Sequence, residues 1–283
     1  MVLKALEYLL RSENRSRLYL VRKCWPKGQR FCIRCGERKI YRLVKSRYRC
    51  ARCRYTFQDF SGRWIGELNL SAKQWLWILK LFELEISARR IAQEAAISYP
   101  TTLKATHLIR CAIAQQSPDF DRLREEIDLA QTVGGRKKAG RRETPVFGLS
   151  MRNGRVEVTV VTDLCLETLL DENVKAVKTG SIVYTDRFAN YDAVVFGGYH
   201  RINVDDANRL TRGKVYINGL EGFWSFAKER LTKFHGVSKQ YFPLYLKEME
   251  FRYNHRHEQL FDLLADYSTR LVPNISQSQK SQP

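Results

Sequence analysis

Ile217-Asn218-Gly219-Leu220-Glu221-Gly222-Phe223-Trp224-Ser225-Phe226-Ala227-Lys228-Glu229-Arg230-Leu231 reads as one amphipathic helix with two chemically different faces. Leu220, Phe223, Trp224, Ala227 and Leu231 recur at helical spacing and form an apolar stripe. Glu221, Ser225 and Lys228 stand at i, i+4 and i+7 on another face. One helix therefore offers a carboxylate and an ammonium to the same groove. The helix needs a sheet to lie on, and strand-like segments precede it. Thr144 to Met151 and Val156 to Val161 are apolar and β-branched, with Arg152-Asn153-Gly154 as a hairpin signal between them. Glu126 to Gln131 and Ser181 to Asp186 are further candidate strands, and Gly197 to Val204 is another. Glu167 to Val177 reads as a helix, and Ser238 to Asn254 closes the region with a last one.

Two of these strands carry acids where apolar residues prevail. Asp128 sits in Ile127-Asp128-Leu129, and Asp186 ends Ile182-Val183-Tyr184-Thr185-Asp186. An acid at the end of a buried strand is costly unless it is paired or bound to a metal. Two strand acids and one helix acid can hold a pair of divalent ions about 3.5–4 Å apart. Glu126, two residues before Asp128, would point to the same face of its strand and is the rival first ligand. Most acids are solvated surface groups, so spacing alone carries this only a short way.

Upstream the chemistry changes. Cys32-Ile33-Arg34-Cys35 and Cys50-Ala51-Arg52-Cys53 are two C-x2-C pairs, 14 residues apart. Zinc takes four thiolates in a tetrahedron, and a tight C-x2-C turn supplies two. A closed four-thiolate site is structural, because no position is left open for substrate. The alternative is two redox pairs. Cys24 is a spare thiol, and Cys111 and Cys165 read as small buried hydrophobes.

Between ribbon and sheet lies a helical stretch. Leu70 to Phe82 is amphipathic behind Ser71, Ser87 to Ala95 is short, and Thr101 to Gln115 follows the turn at Ile97-Ser98-Tyr99-Pro100. The proportions are those of a helix-turn-helix, which would bring Thr101, Thr102 and Lys104 to a DNA groove. A linker bundle is the other reading. Residues 1–25 read as a short helix followed by basic coil.

The chain has 283 residues and a formal net charge of +19. Residues 1–60 hold 17 Lys or Arg against 4 Asp or Glu, which is +13 of that total. Basic residues interleaved with Tyr41, Tyr48, Tyr55 and Phe57 point to a polyanion, and to nucleic acid over a membrane. No stretch approaches the ~20 apolar residues of a membrane span, and no signal peptide is read at the start. A cytoplasmic, nucleoid-associated protein is expected, or a nuclear one in a eukaryote. Expected DNA contacts are Arg34 and Arg52 in the cysteine turns, Thr101, Thr102 and Lys104, and Arg136, Lys137 and Lys138 in the glycine-rich loop from Gly134 to Arg142. His255 and His257 contact phosphate or pack locally, since no metal-ligand spacing joins them to the acids.

The stretch from Ile217 to Leu231 closely resembles a signature of insertion-sequence transposases that join an N-terminal zinc ribbon to a DDE nuclease core and are related to the Merlin elements. Tyr245-Leu246-Lys247-Glu248-Met249-Glu250-Phe251-Arg252-Tyr253-Asn254-His255-Arg256 resembles the closing helix of that family. Val183-Tyr184-Thr185-Asp186 with Asn190-Tyr191-Asp192 resembles its second-acid block. One departure is visible. Leu129-Ala130-Gln131-Thr132-Val133 stands before Gly134-Gly135 where the family shows an acidic and aromatic run.

The resemblance implies an α/β, RNase H-like mixed sheet of five strands flanked by helices. A basic zinc-ribbon segment (1–62) and a helix-turn-helix-like segment (63–117) precede it. The catalytic domain is expected over 118–272, with a disordered tail over 273–283. It implies Asp128, Asp186 and Glu221 as a triad for Mg²⁺ or Mn²⁺, with Lys228 near a DNA phosphate. The implied activity is cleavage of transposon ends and their transfer to target DNA, on double-stranded terminal inverted repeats, by a homodimer or higher oligomer. A catalytically inactive or domesticated DNA-binding regulator would use the same ribbon and charge. A zinc-ribbon RNA-binding protein would leave the acid-bearing half without a task.

Overall fold

The computed structural model describes residues 1–116, 127–134, 144–151, 155–160, 182–185, 200–203, 218–234, 237–238 and 240–273. Side chains are described for 1–116, 155–158, 222–234, 237–238 and 240–273. The chain divides into two compact units, one of residues 1–116 with 257–283 and one of residues 117–256.

The first unit begins with α1 (Leu3–Leu10) and α2 (Glu13–Cys24). The basic coil expected after the first helix is in fact α2. Its composition is polar, but Ser12 caps it by accepting from the Arg15 amide at 3.2 Å, and Leu20, Val21 and Cys24 turn inward. Three short antiparallel strands follow in the order β1 (Ile40–Arg42), β2 (Arg47–Cys50) and β3 (Thr56–Gln58).

Three serines then start three helices. Ser71 forms a capping box with Gln74 on α3 (Ala72–Glu83), Ser87 caps α4 (Ala88–Glu94) and Ser98 caps α5 (Tyr99–Ala114). Helix α5 starts two residues earlier than the sequence reading, because Pro100 occupies the first turn, where its missing N–H costs nothing. Glu13 of α2 reinforces the start of α3 by accepting from the Ala72 and Lys73 amides at 2.6 and 3.2 Å.

A last helix, α8 (Leu260–Ser268), packs on α2, α3 and α5 and belongs to this first unit. From sequence, residues 257–272 are expected with the catalytic segment. Phe261 and Leu264 are fully buried, alongside Trp75, Leu76 and Leu79 of α3 and Ile109 of α5 in the unit's core. Glu83 Oε1 accepts from the Phe261 amide at 2.9 Å, and Tyr19 donates to Asp262 at 2.7 Å. Burial, with the Asp262 carboxylate beside it, pushes the Tyr19 phenol well above its ordinary range, so it stays a donor. Arg63, 4 % exposed, donates to the Thr269 carbonyl, to the Cys24 carbonyl at 2.9 Å and to the Asp59 carbonyl at 3.1 Å. Its guanidinium also lies over Trp25, 4.4 Å from the ring centre.

The second unit is built on a five-stranded mixed sheet in the order β6-β5-β4-β7-β8. The central β4 (Ile127–Gly134) pairs antiparallel with β5 (Thr144–Met151) along its whole length, and β5 pairs antiparallel with β6 (Val156–Val160). On its other side β4 runs parallel to β7 (Ile182–Thr185), which runs parallel to β8 (His200–Asn203). Strand β4 extends to Gly134 instead of ending near Gln131, because Thr132 and Val133 continue the pairing opposite Val146 and Pro145.

Helix α6 (Asn218–Leu231) packs across β6, β5 and β4, and α7 (Phe242–Asn254) packs on β6 and α6. The core between them joins Val156 and Val158 to Phe223, Ala227, Leu246 and Met249. The expected helix over 167–177 and the tail beyond Pro273 lie outside the described residues. The mixed sheet flanked by helices is the RNase H-like α/β architecture.

Strand β6 is a sheet edge, and α7 closes it. Asn254 accepts from the Val156 amide and donates to the Val156 carbonyl, both at 2.8 Å. One turn earlier, Glu250, 3 % exposed, accepts from the Val158 amide at 2.9 Å and from Lys247 at 2.7 Å. One helical turn on α7 thus spans two residues of strand, and backbone groups that would otherwise template another chain are satisfied.

Candidate catalytic and zinc centres

The two C-x2-C turns converge. The four sulfurs of Cys32, Cys35, Cys50 and Cys53 lie within 4.8 Å of one another. Cys32 and Cys53 approach to 3.5 Å, and Cys35 and Cys50 to 3.6 Å. Four sulfurs at 2.3 Å from a tetrahedral zinc stand about 3.8 Å apart, so the cage fits that ion. Cys50 ends β2, and the Ile40–Cys50 pairing holds it beside the start of β1, so the sheet itself sets one side of the cage. The cluster can bind zinc, and four protein ligands leave no open position, which suits a structural role.

Cys24 stands apart from the cage. It is buried, and burial pushes its thiol from 9.0 up to about 12 against the pull of Arg63. Cys111 is half-buried with its sulfur 3.6 Å from His107 Nε2, instead of fully buried as its apolar setting suggests. Cys165 lies outside the described residues.

The ribbon is fixed to α2 through a buried ion-pair cluster that local sequence does not announce. Asp59 is 1 % exposed and ion-paired to Arg17 at 2.6 Å and Arg30 at 2.7 Å, and Trp25 donates to it at 3.0 Å. A buried carboxylate needs such partners. Nothing in the local spacing of Arg17, Arg30 and Asp59 would have shown it.

Of the expected DNA contacts in this unit, Arg34 and Arg52 are exposed in the cysteine turns. Lys104 is exposed on α5, and Thr101 is half-buried with its hydroxyl 2.7 Å from Ser98. Thr102 is different. It has no exposed surface, and its hydroxyl, buried without a hydrogen-bond partner, faces the core. It supports α5 and cannot reach a ligand. The outward side of the helix start is Tyr99, Leu103 and Lys104. A short turn through Ala96, at φ 51°, joins α4 to α5, completing a helix-turn-helix-like segment.

In the second unit Asp128 occupies β4 at the register position of Tyr184 on β7, and Leu129 that of Thr185. Asp186 is the next residue in the sequence and lies outside the described residues, as do Glu126, Arg136, Lys137 and Lys138. Glu221 sits in the first turn of α6, the helix that crosses β4. Lys228 is exposed two turns further along α6. His255 packs against the Phe251 ring, and His257 is exposed.

This arrangement meets its counterpart among known proteins. Residues 124–254 match the model of the ISXO2-like transposase domain, and residues 11–56 match the transposase zinc-ribbon domain. An uncharacterized transposase-like protein of Haemophilus influenzae is 39 % identical over 100 residues, which are 35 % of this chain and 81 % of that protein. The chain belongs to the ISXO2-like transposases. A protein in the transposable element ISH50 of Halobacterium salinarum is 24 % identical, with 85 % of this chain and 90 % of that one covered. Each match falls within one unit: the ribbon match ends at Thr56, where β3 begins, and the transposase-domain match spans the strands of the mixed sheet with α6 and α7. No helix among the described residues of the transposase is long and apolar enough to cross a membrane.

Proposed function

We propose that this transposase cleaves the ends of its element and joins them to target DNA, using Asp128, Asp186 and Glu221 as one metal-binding triad. The observation that supports this most is the parallel pairing of β4 with β7. It sets Asp128 level with Tyr184, so that the chain leaves β7 toward Asp186 beside the strand that bears the first acid. The packing of α6 across β4 adds the helix that bears Glu221.

The donors are all carboxylates, a hard oxygen set that suits Mg²⁺ or Mn²⁺. Such ions, when bound, activate a water or a 3′-hydroxyl and stabilise the leaving oxygen of an in-line displacement. The chain's own part is to hold three carboxylates in fixed positions and to keep the DNA phosphate beside them. Lys228 does the latter as a point charge on the same helix as Glu221. Arg136, Lys137 and Lys138 add charge in the loop after β4. Arg34 and Arg52 of the ribbon, with Thr101 and Lys104 of α5, hold the duplex of the terminal repeats. Two ends must be held for joining, so the working form on DNA is at least a dimer, acting in the cytoplasm at the nucleoid.

The test separates chemistry from binding. Asp186→Ala is expected to abolish Mg²⁺-dependent strand transfer on the flanking repeats, with binding to the same duplex unchanged. A wild-type chain that binds the repeats but never cuts them would leave a DNA-binding regulator.

A further inference from the structure

One face of the ribbon sheet buries Tyr48 and Phe57, with Arg42 exposed at its rim, and the other face is open. In its register Tyr48 pairs with Arg42 and Phe57, and Arg49 pairs with Tyr41 and Thr56. Neighbouring positions along a strand face opposite ways. Tyr48 and Phe57 are buried, whereas Tyr41, Arg49 and Thr56 form an exposed row across all three strands. Arg47 and Gln58 form a second exposed row.

Beyond these rows the β1–β2 hairpin turns through Val44, Lys45 and Ser46, closed by the Leu43 amide donating to the Arg47 carbonyl at 2.8 Å. Val44 is 74 % exposed, more than any other large hydrophobic among the described residues. Lys45 (φ 60°) and Ser46 (φ 54°) are both left-handed, a conformation that glycine or asparagine adopts with less strain. The tip therefore keeps an apolar and a cationic side chain in water at the expense of its own backbone.

The charge of this region is of one sign. From Arg38 to Gln58 there are eight Lys or Arg and no Asp or Glu. The flanking acids are engaged: Glu37 accepts from the Lys39 amide at 2.9 Å, and Asp59 is buried between Arg17 and Arg30.

We infer that this open face and its hairpin tip are a docking surface for a DNA duplex. Arg47 and Arg49 meet phosphates, Tyr41 lies against the backbone, and the Val44–Lys45 tip enters the groove. The inference rests on the DNA-binding reading above and places the contact on the sheet face, beyond the arginines of the cysteine turns. A two-stranded β-ribbon fits the major groove of DNA, which is about 12 Å wide. A single-stranded partner would call for several stacking aromatics, and Tyr41 is the one aromatic in these exposed rows.

The test is a titration of the full zinc-loaded chain with a labelled mixed-sequence duplex over a range of salt concentrations. Arg47→Gln combined with Arg49→Gln is expected to lower the slope of log affinity against log salt by about 2, roughly 0.9 per phosphate contact. Lys45→Gly is expected to weaken binding while its melting temperature stays level or rises. Lys4→Gln with Arg11→Gln removes equal charge from α1 and its C-cap, a helix that packs on α2 and α3, and is expected to leave the slope unchanged. An unaltered slope in the hairpin variants would overturn the inference, as would an equal fall in the α1 variants or tighter binding of a single strand than of the duplex. If the wild-type chain binds no DNA, the transposase reading of the ribbon falls as well. If it binds and the hairpin variants leave the slope unchanged, this surface alone is refuted.

Discussion

Thr102 and Cys24 show what a position in the fold does to a side chain whose type alone suggests a role. Thr102 lies in the first turn and a half of α5, where a groove-reading helix presents its contacts, yet its hydroxyl is buried without a partner. An unsatisfied buried hydroxyl is destabilising, and valine has nearly the same shape. Thr102→Val should therefore raise the stability of the first unit by about 1 kcal/mol in a denaturant titration and leave DNA affinity unchanged. Cys24 is a spare thiol by sequence, and its burial makes it inert. Because folding pushes its pKa from 9.0 up to about 12, the folded state keeps a proton that the unfolded chain releases. That stabilisation is fully present below pH 9.0 and is lost as pH rises toward 12. The difference in melting temperature between wild type and Cys24→Ala should stay constant in the neutral range and shift in favour of the variant in alkali. The zinc ligands were legible for the opposite reason. C-x2-C spacing is itself coordination geometry, so no tertiary knowledge was needed.

At the scale of elements, legibility followed locality. Helices α3, α4 and α5 announce themselves by serine caps and apolar spacing. Helix α2 hid behind a polar composition, because only Leu20, Val21 and Cys24, with Ser16, mark its inward side. The stretch resembling the family's closing helix was readable as α7, but its structural task was not. Asn254 and Glu250 satisfy the open edge of β6, a contact made nearly a hundred residues away in sequence. Asn254→Ala removes two hydrogen bonds at that edge. It should cost the second unit roughly 1–3 kcal/mol and raise the chain's tendency to aggregate, measured by light scattering during heating. An Asn254→Ala chain as stable as wild type would show that the edge is protected in some other way.

At the scale of the whole molecule, the first unit is built from both ends of the chain. Helix α8 contributes Phe261 and Leu264 to a core formed mainly by residues before 116, and Arg63 reaches the Thr269 carbonyl. No local pattern reveals this, because the partners are separated by most of the sequence. Burying two such side chains is worth about 3–6 kcal/mol, a large share of the ~5–15 kcal/mol that holds a typical domain together. Truncation after Arg256 should therefore unfold or strongly destabilise the N-terminal unit, seen as a lost or lowered first transition in calorimetry, although no residue of the ribbon is touched. The sheet order of the second unit was legible only through the family resemblance, since alternating β-branched runs do not say which strands are neighbours. Asp128 falls within a strand continuous from Ile127 to Gly134, so the unusual Leu129–Val133 run is accommodated as strand.

The proposed function requires three distant carboxylates to act as one metal site. The most direct measurement is Mg²⁺-dependent nicking of a plasmid carrying the terminal repeats, by wild-type chain and by Glu221→Gln of equal stability and DNA affinity. Nicking by the wild type is expected, with at least a hundredfold loss in the variant, on the order of the loss expected when a preorganised transition-state contact is removed. Equal rates for the two proteins would contradict it.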